Sequence, residues 1–202
     1  NHLLLLGAGL SGDEFRVLVG NAGSGFWEVF SNSAEFADGH SHPLDRWSKS
    51  IGDQIAKATG AQVTYPFEGP PYAPFLDWAG ETGRVSRSPL SIFIHHQHGL
   101  WHAYRFMLSF GQIAEDFSDS GESTSPCESC SEKPCLSACP VSAFSDGHYN
   151  VEKCMSYLKS DENSDCRRFG CVARKACPVM PQNRYIPEHA KFHMQAFVSN
   201  DL

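Results

Sequence analysis

Eight cysteines, none of them before residue 127, are the side chains here whose types and spacing most plainly demand a chemistry. They read Cys127-x2-Cys130-x4-Cys135-x3-Cys139 and Cys154-x11-Cys166-x4-Cys171-x5-Cys177, and each run closes on Cys-Pro. Thiols at this density would mean disulfides in a small secreted protein. The cysteine-free stretch that precedes them points instead to metal binding in a reducing compartment. Four-cysteine zinc sites are the competing reading. Those are usually written as two CxxC pairs, and only Cys127 and Cys130 make one. The chemistry expected is electron transfer on two [4Fe–4S] clusters.

The Cys-Pro endings follow the bacterial ferredoxin pattern, in which the fourth cysteine of a run ligates the other cluster. Reach explains the crossing. Three thiolates on one loop can face one cube, while the cysteine leading into the next helix points away. The expected sets are Cys127, Cys130, Cys135 and Cys177 for one cluster, and Cys139, Cys154, Cys166 and Cys171 for the other. The spacing is looser than the usual run, with x4 in place of x2 before Cys135. Arg167, Arg168, Arg174, Lys175 and Arg184 surround the second run. They are read first as offsetting the negative thiolates, and second as docking an acidic redox partner or a phosphate.

Other side chains invite weaker readings. His95, His96, His98 and His102 crowd one short stretch, where a neutral imidazole could ligate a metal or hydrogen-bond a cofactor. His40-Ser41-His42 is read as capping a helix. Tyr65, Phe67, Tyr72, Phe75 and Trp78 flank a Pro-rich loop at 68–74. Core packing accounts for most of them, and the remainder could wall a flat ring. No Ser–His–Asp arrangement, phosphate loop or GxGxxG fingerprint occurs, and no DxHxxG cobalamin motif. No catalytic residue is assigned from sequence.

These residues need elements to hold them. Residues 14–20 and 63–67 read as strands, 26–31 and 75–79 as short helices. The clearest helix covers 42–60, with Pro43 in its first turn, Leu44, Trp47, Ile51, Ile55 and Ala58 at helical spacing, and Gly60 as its stop. Residues 90–95 and 100–110 read as paired strands joined through His98-Gly99. Beyond the cysteines' first turns, helices are expected at 140–144, 151–158 and 187–198. Helix–strand alternation indicates an α/β domain at 1–114. Residues 115–126, acidic and Ser-rich, have linker composition, and a cysteine-bearing module follows at 127–202. The net charge of −7 is uneven, with 7 Lys+Arg against 14 Asp+Glu in residues 1–126 and 9 of each in 127–202. An acidic first part argues against a nucleic-acid partner. No apolar run approaches a membrane span, so a cytoplasmic location is expected.

Two family resemblances sharpen this. Cys154-Met-Ser-Tyr-Leu158, then Phe169-Gly170-Cys171, then the last Cys-Pro, resemble the 2[4Fe–4S] ferredoxin domain of epoxyqueuosine reductase and reductive dehalogenases. Those proteins carry a further Cys where this chain has Arg174, and Cys166 stands in for it upstream. The first part, from about Val17 to Gly111, resembles the cobalamin-processing CblC family. The features it shares are His42-Pro43, Gly60-Ala61, Tyr65 and Ile94-His95-x3-Gly99-x-Trp101-x-Ala103-x-Arg105. This resemblance implies a nitroreductase-like α/β (α+β) fold and a corrin site at His95, with Gly99 and Trp101 beside it. Tyr65, Phe67 and Tyr72 would complete the wall. The family's glutathione-binding arginines have no counterpart here. Together the resemblances imply a cobalamin-binding oxidoreductase of the cobalamin reductase or decyanase type, fed by a separate electron donor. The alternatives are an electron-transfer protein with a docking α/β domain, and an epoxyqueuosine-reductase-like enzyme. Flavin is a less favoured cofactor than cobalamin, and a homodimer is expected by analogy alone.

Overall fold

The computed structural model describes residues 3–11, 13–111, 124–145 and 147–199. In chain order the elements are β1 (Leu4–Ser11), β2 (Glu14–Ala22), α1 (Trp27–Ser31), α2 (Ala34–Ala37), α3 (Pro43–Thr59), β3 (Gln62–Thr64), α4 (Phe75–Glu81), β4 (Val85–Arg87), β5 (Phe93–His95) and β6 (His102–Phe110). After these come α5 (Pro134–Ser137), β7 (Phe144–Ser145), β8 (His148–Tyr149), α6 (Val151–Ser160), α7 (Asp165–Phe169), α8 (Val172–Lys175), a 3-10 turn (Pro181–Asn183) and α9 (Pro187–Ser199). The chain is thus mixed helix and strand, built on small antiparallel sheets.

It divides into two compact units, and the division does not follow the chain. One comprises Asn1–Val85 and His102–Ser123, the other Ser86–Trp101 and Thr124–Leu202. The sequence places one boundary at 115–126, and residues 115–123 of that segment lie outside the described residues. What sequence reading missed is the loan of Ser86–Trp101 to the cysteine-bearing unit.

The first unit is organised on a four-stranded antiparallel sheet of order β1-β2-β6-β3. The Leu-rich start, which carries no strand expectation, is β1, hairpin-paired to β2 with Leu6 opening a register shift. Leu6 and Ala8 point inward, while Leu4, Leu5 and Leu10 are exposed. Helix α3 forms as its sequence predicts. Pro43 occupies the first turn, where its missing N–H costs nothing, and Gly60 takes the left-handed conformation (φ 73°) that ends the helix. Its buried face is Leu44, Trp47, Ser48, Ile51, Gly52 and Ala56, so the stripe stops short of the expected Ala58, which is exposed. Phe26, Phe30 and Trp47 pack ring against ring in the core, 5.5–6.0 Å apart. Rings at such separations add attraction beyond the area they bury.

Two two-stranded sheets, β4-β5 and β7-β8, accompany the cysteine loops of the second unit. Leu90, Ile94 and Leu100, all within the borrowed segment, form one apolar cluster with Cys135, Ala173 and Cys177. Residues 90–95 and 100–110 do not pair as strands. β5 pairs with β4, and β6 pairs with β2 and β3, while an isolated His95–Gly99 bridge closes the turn that follows β5. The helix expected at 140–144 is also absent. The turn of helix there is α5, one cysteine earlier, and Phe144 opens the β7–β8 hairpin instead. Helix α6 is capped by the Asn150 side chain, which accepts from the Lys153 N–H at 2.8 Å.

Candidate metal centres and cofactor site

Each cysteine occupies a position where a short helix starts, stops or turns. Cys127 and Cys130 lie in the turns before α5, Cys135 in α5, and Cys139 just after it. Cys154 is on α6, Cys166 on α7, Cys171 at the start of α8 and Cys177 just beyond its end. All eight are free thiols; Cys135, Cys166 and Cys177 are buried and the other five half-buried.

Their electrostatic neighbours fall into two sets. Burial pushes the Cys127 thiol up, and Cys177, Cys135 and Cys130 push it further. Cys135 is raised by burial and then by Cys177 and Cys130. In the other set burial raises Cys154, with Cys139 adding to it. Burial likewise raises Cys166, beside Cys154 and Cys139. Cys171 is pushed up to about 11 by burial, with Cys166 and Cys154 adding. The structure therefore brings Cys127, Cys130, Cys135 and Cys177 into one neighbourhood, and Cys139, Cys154, Cys166 and Cys171 into another. Among the described residues no three His, Cys, Asp or Glu side chains form a group that could hold a single metal ion. The quartets are neighbourhoods, not closed coordination spheres.

This donor chemistry fits iron–sulfur ligation. Thiols kept protonated by burial and by each other are poor nucleophiles. A metal group that binds them displaces their protons and offsets part of the charge of the four thiolates. Donors for such sulfurs are also in place. The Ala143 N–H donates to Cys139 Sγ at 3.3 Å, and Tyr149 is hydrogen-bonded to Cys154. Tyr149, its ring stacked on Phe144 at 4.7 Å, carried no sequence signal beyond its place ahead of α6.

The residues assigned to a corrin site divide between the units. His95, Gly99 and Trp101 belong to the cysteine-bearing unit, whereas Tyr65, Phe67 and Tyr72 belong to the first. His95 is 1% exposed. Its backbone exchanges hydrogen bonds with Gly99, N–H to O at 2.9 Å and back at 2.7 Å, and its Nδ1 accepts from the Gln97 N–H at 3.1 Å. An Nδ1 that accepts leaves the proton of the neutral ring on Nε2. Gly99 has φ 64°, and a Cβ would lie 2.7 Å from the Val179 carbonyl oxygen, so only glycine fits this turn. His98 tilts against His95 at 4.6 Å, and burial lowers its pKa. His96 Nε2 lies 2.9 Å from Ser86 Oγ, and His102 lies on β6 in the first unit.

Trp101 is buried beside Tyr185, edge to face at 5.3 Å. The Arg174 guanidinium stands 4.7 Å from both rings and donates to the Leu100 carbonyl through Nε at 2.9 Å and through Nη2. Arg174 thus braces the turn behind His95. Tyr65 packs as a core residue. Its ring stacks on Phe67 at 5.3 Å, and its hydroxyl donates to Asp53 Oδ1 at 2.8 Å and to the Lys49 carbonyl at 3.0 Å. Burial, then the Asp53 hydrogen bond, raises its pKa. Tyr72 is 64% exposed. In comparison with known proteins, no family model matches this chain and no curated protein matches it.

Proposed function

We propose that the chain is an iron–sulfur redox protein with two [4Fe–4S] clusters, and that it delivers electrons to the cobalt of a bound corrinoid. Cys127, Cys130, Cys135 and Cys177 would hold one cluster, and Cys139, Cys154, Cys166 and Cys171 the other. The observation that carries the redox reading is the separation of the thiols into these two neighbourhoods, crossed so that Cys139 and Cys177 each serve the run they do not belong to. The nitroreductase-like fold and the ferredoxin-like module are part of the same proposal.

The corrin reading rests on the likeness of the 94–105 segment and on the geometry of His95. With Nδ1 accepting from the Gln97 N–H, that nitrogen has no lone pair to give cobalt. The part assigned to His95 is to shape the wall of the site, with the Gly99 turn and with Trp101 braced by Arg174. A bound corrinoid would supply low-valent cobalt able to lose an upper ligand such as cyanide or to attack a reducible substrate.

The test is anaerobic reconstitution followed by iron analysis and a corrin titration. About eight iron atoms per chain are expected, as two four-iron cubes require. Adding cob(II)alamin with dithionite should shift the corrin absorption bands. Zinc in place of iron would sink the redox reading. Full iron with unchanged corrin bands would leave a plain electron-transfer protein. That second reading is favoured by Tyr65, whose ring and hydroxyl are already engaged inside the first unit's core.

A further inference from the structure

Residues 167–187 carry five cationic side chains and no carboxylate. The structure sorts the five. Arg174 is committed to Leu100, Trp101 and Tyr185, and Arg184 donates through Nη2 to the Cys177 carbonyl at 3.3 Å. Arg168 and Lys175 are exposed, and both stand over one ring, Phe169, at 4.9 and 5.6 Å from its centre. Among the described residues no ion pair engages Arg167, Arg168 or Lys175. Phe169 lies between Cys166 and Cys171, two members of one quartet.

We infer that Arg168, Phe169 and Lys175 form the docking face for an acidic one-electron redox protein that charges this chain. The inference rests on the iron–sulfur reading above and names where its electrons enter. Charge complementarity selects the occupant. Two unpaired cations steer an anionic protein surface toward them. The aromatic ring between them supplies the apolar patch that a charged rim surrounds in a protein interface. An exposed arginine and lysine reaching over a ring suit a broad acidic face better than a single phosphate, which calls for convergent donors. In the transfer itself no atom moves. The reduced donor loses one electron, and one cube of this chain gains it.

The test uses the reconstituted full chain and an oxidised plant-type ferredoxin as the acidic probe, with binding followed by calorimetry and iron measured in parallel. The wild type should bind, and its affinity should fall steeply as salt is raised, because exposed charge attraction is screened. Arg168→Glu with Lys175→Glu should weaken binding about tenfold or more at low salt, and should flatten the salt dependence, at equal iron content. The neutral pair Arg168→Gln with Lys175→Gln should move the same way by about threefold, and serves if charge reversal prevents folding. Iron-loaded wild type that fails to bind, or variants that bind as the wild type does, would overturn the docking face and leave the clusters standing. An iron-free wild type that still binds through Arg168 and Lys175 would sink the cluster reading and leave the face.

Discussion

At Cys166 a buried thiol on a five-residue helix faces Cys154 and Cys139, and it is the least regularly spaced member of its proposed quartet. Cys166→Ser should therefore cost one cube and spare the other, leaving about four iron atoms per chain where about eight are expected. Iron analysis with electron paramagnetic resonance would show it, and a variant retaining all its iron would remove Cys166 from the ligand set. Gly99 gives a prediction of a different kind. Alanine there must adopt a left-handed backbone and push against a carbonyl, so Gly99→Ala should lose about 1–3 kcal/mol of stability in denaturant titration. The grouping of the cysteines into two neighbourhoods was legible in sequence because residue type and spacing are themselves the signal. The tautomer of His95 was not, since it depends on a backbone N–H two residues on. Tyr65 reads equally well as wall or core until Asp53, on a different element, is seen to hold its hydroxyl.

Among the elements, α3 shows how packing overrides propensity. Alanine normally gains about 1 kcal/mol over glycine inside a helix. At Gly52 a Cβ would lie 2.5 Å from the Tyr65 hydroxyl oxygen and displace the ring from its place against the helix. Gly52→Ala should accordingly lower the thermal midpoint despite its better propensity; a raised midpoint would contradict this packing. The α2–α3 connection supplies a pH prediction. Arg46 grips Asp38 at 2.7 and 2.8 Å and the Glu35 carbonyl at 2.8 Å. The hydrogen bond from Arg46, then the His40 N–H, lowers the Asp38 pKa from 3.8 to about 2. The folded pKa is the depressed one, so the stabilisation is present above pH 3.8 and is lost as the pH falls toward 2. Asp38→Asn should flatten the acid limb of the stability profile in that window. Helices α3 and α6 were legible because each carries capping residues or a sustained apolar stripe, whereas α9 buries His189 and Ala190 and not the Phe192, Ala196 and Phe197 side expected of it. The short α7 and α8 were not legible, since four or five residues hold little more than one turn, too few for a pattern to repeat, and burial of Cys166 and Ala173 fixes them. Strand β6 misled for another reason. Its partners, β2 and β3, lie far off in sequence, and the nearer Leu90–His95 stretch offered a false match.

For the molecule as a whole, the informative feature is the route of the chain, which leaves the first unit at Val85 and rejoins it at His102. A fragment of residues 127–202, cut where composition suggests, would lack Leu90, Ile94 and Leu100 from the cluster that packs on Cys135 and Cys177. Fully burying side chains of this size contributes about 2 kcal/mol each. Three of them together, about 6 kcal/mol, rival the whole stability of a small domain. The fragment is therefore expected to unfold or shed iron under conditions in which the full chain does neither, as circular dichroism and iron release would reveal. Composition and charge cannot disclose such a loan, because the borrowed hairpin looks like its sequence neighbours and differs only in what it touches. The same route bears on inheritance. A module whose hydrophobic floor is encoded inside the gene segment of its neighbour cannot be passed on by a single crossover at the junction. The two halves must travel and diverge together, so transplanting the cysteine loops onto another host would require two grafts.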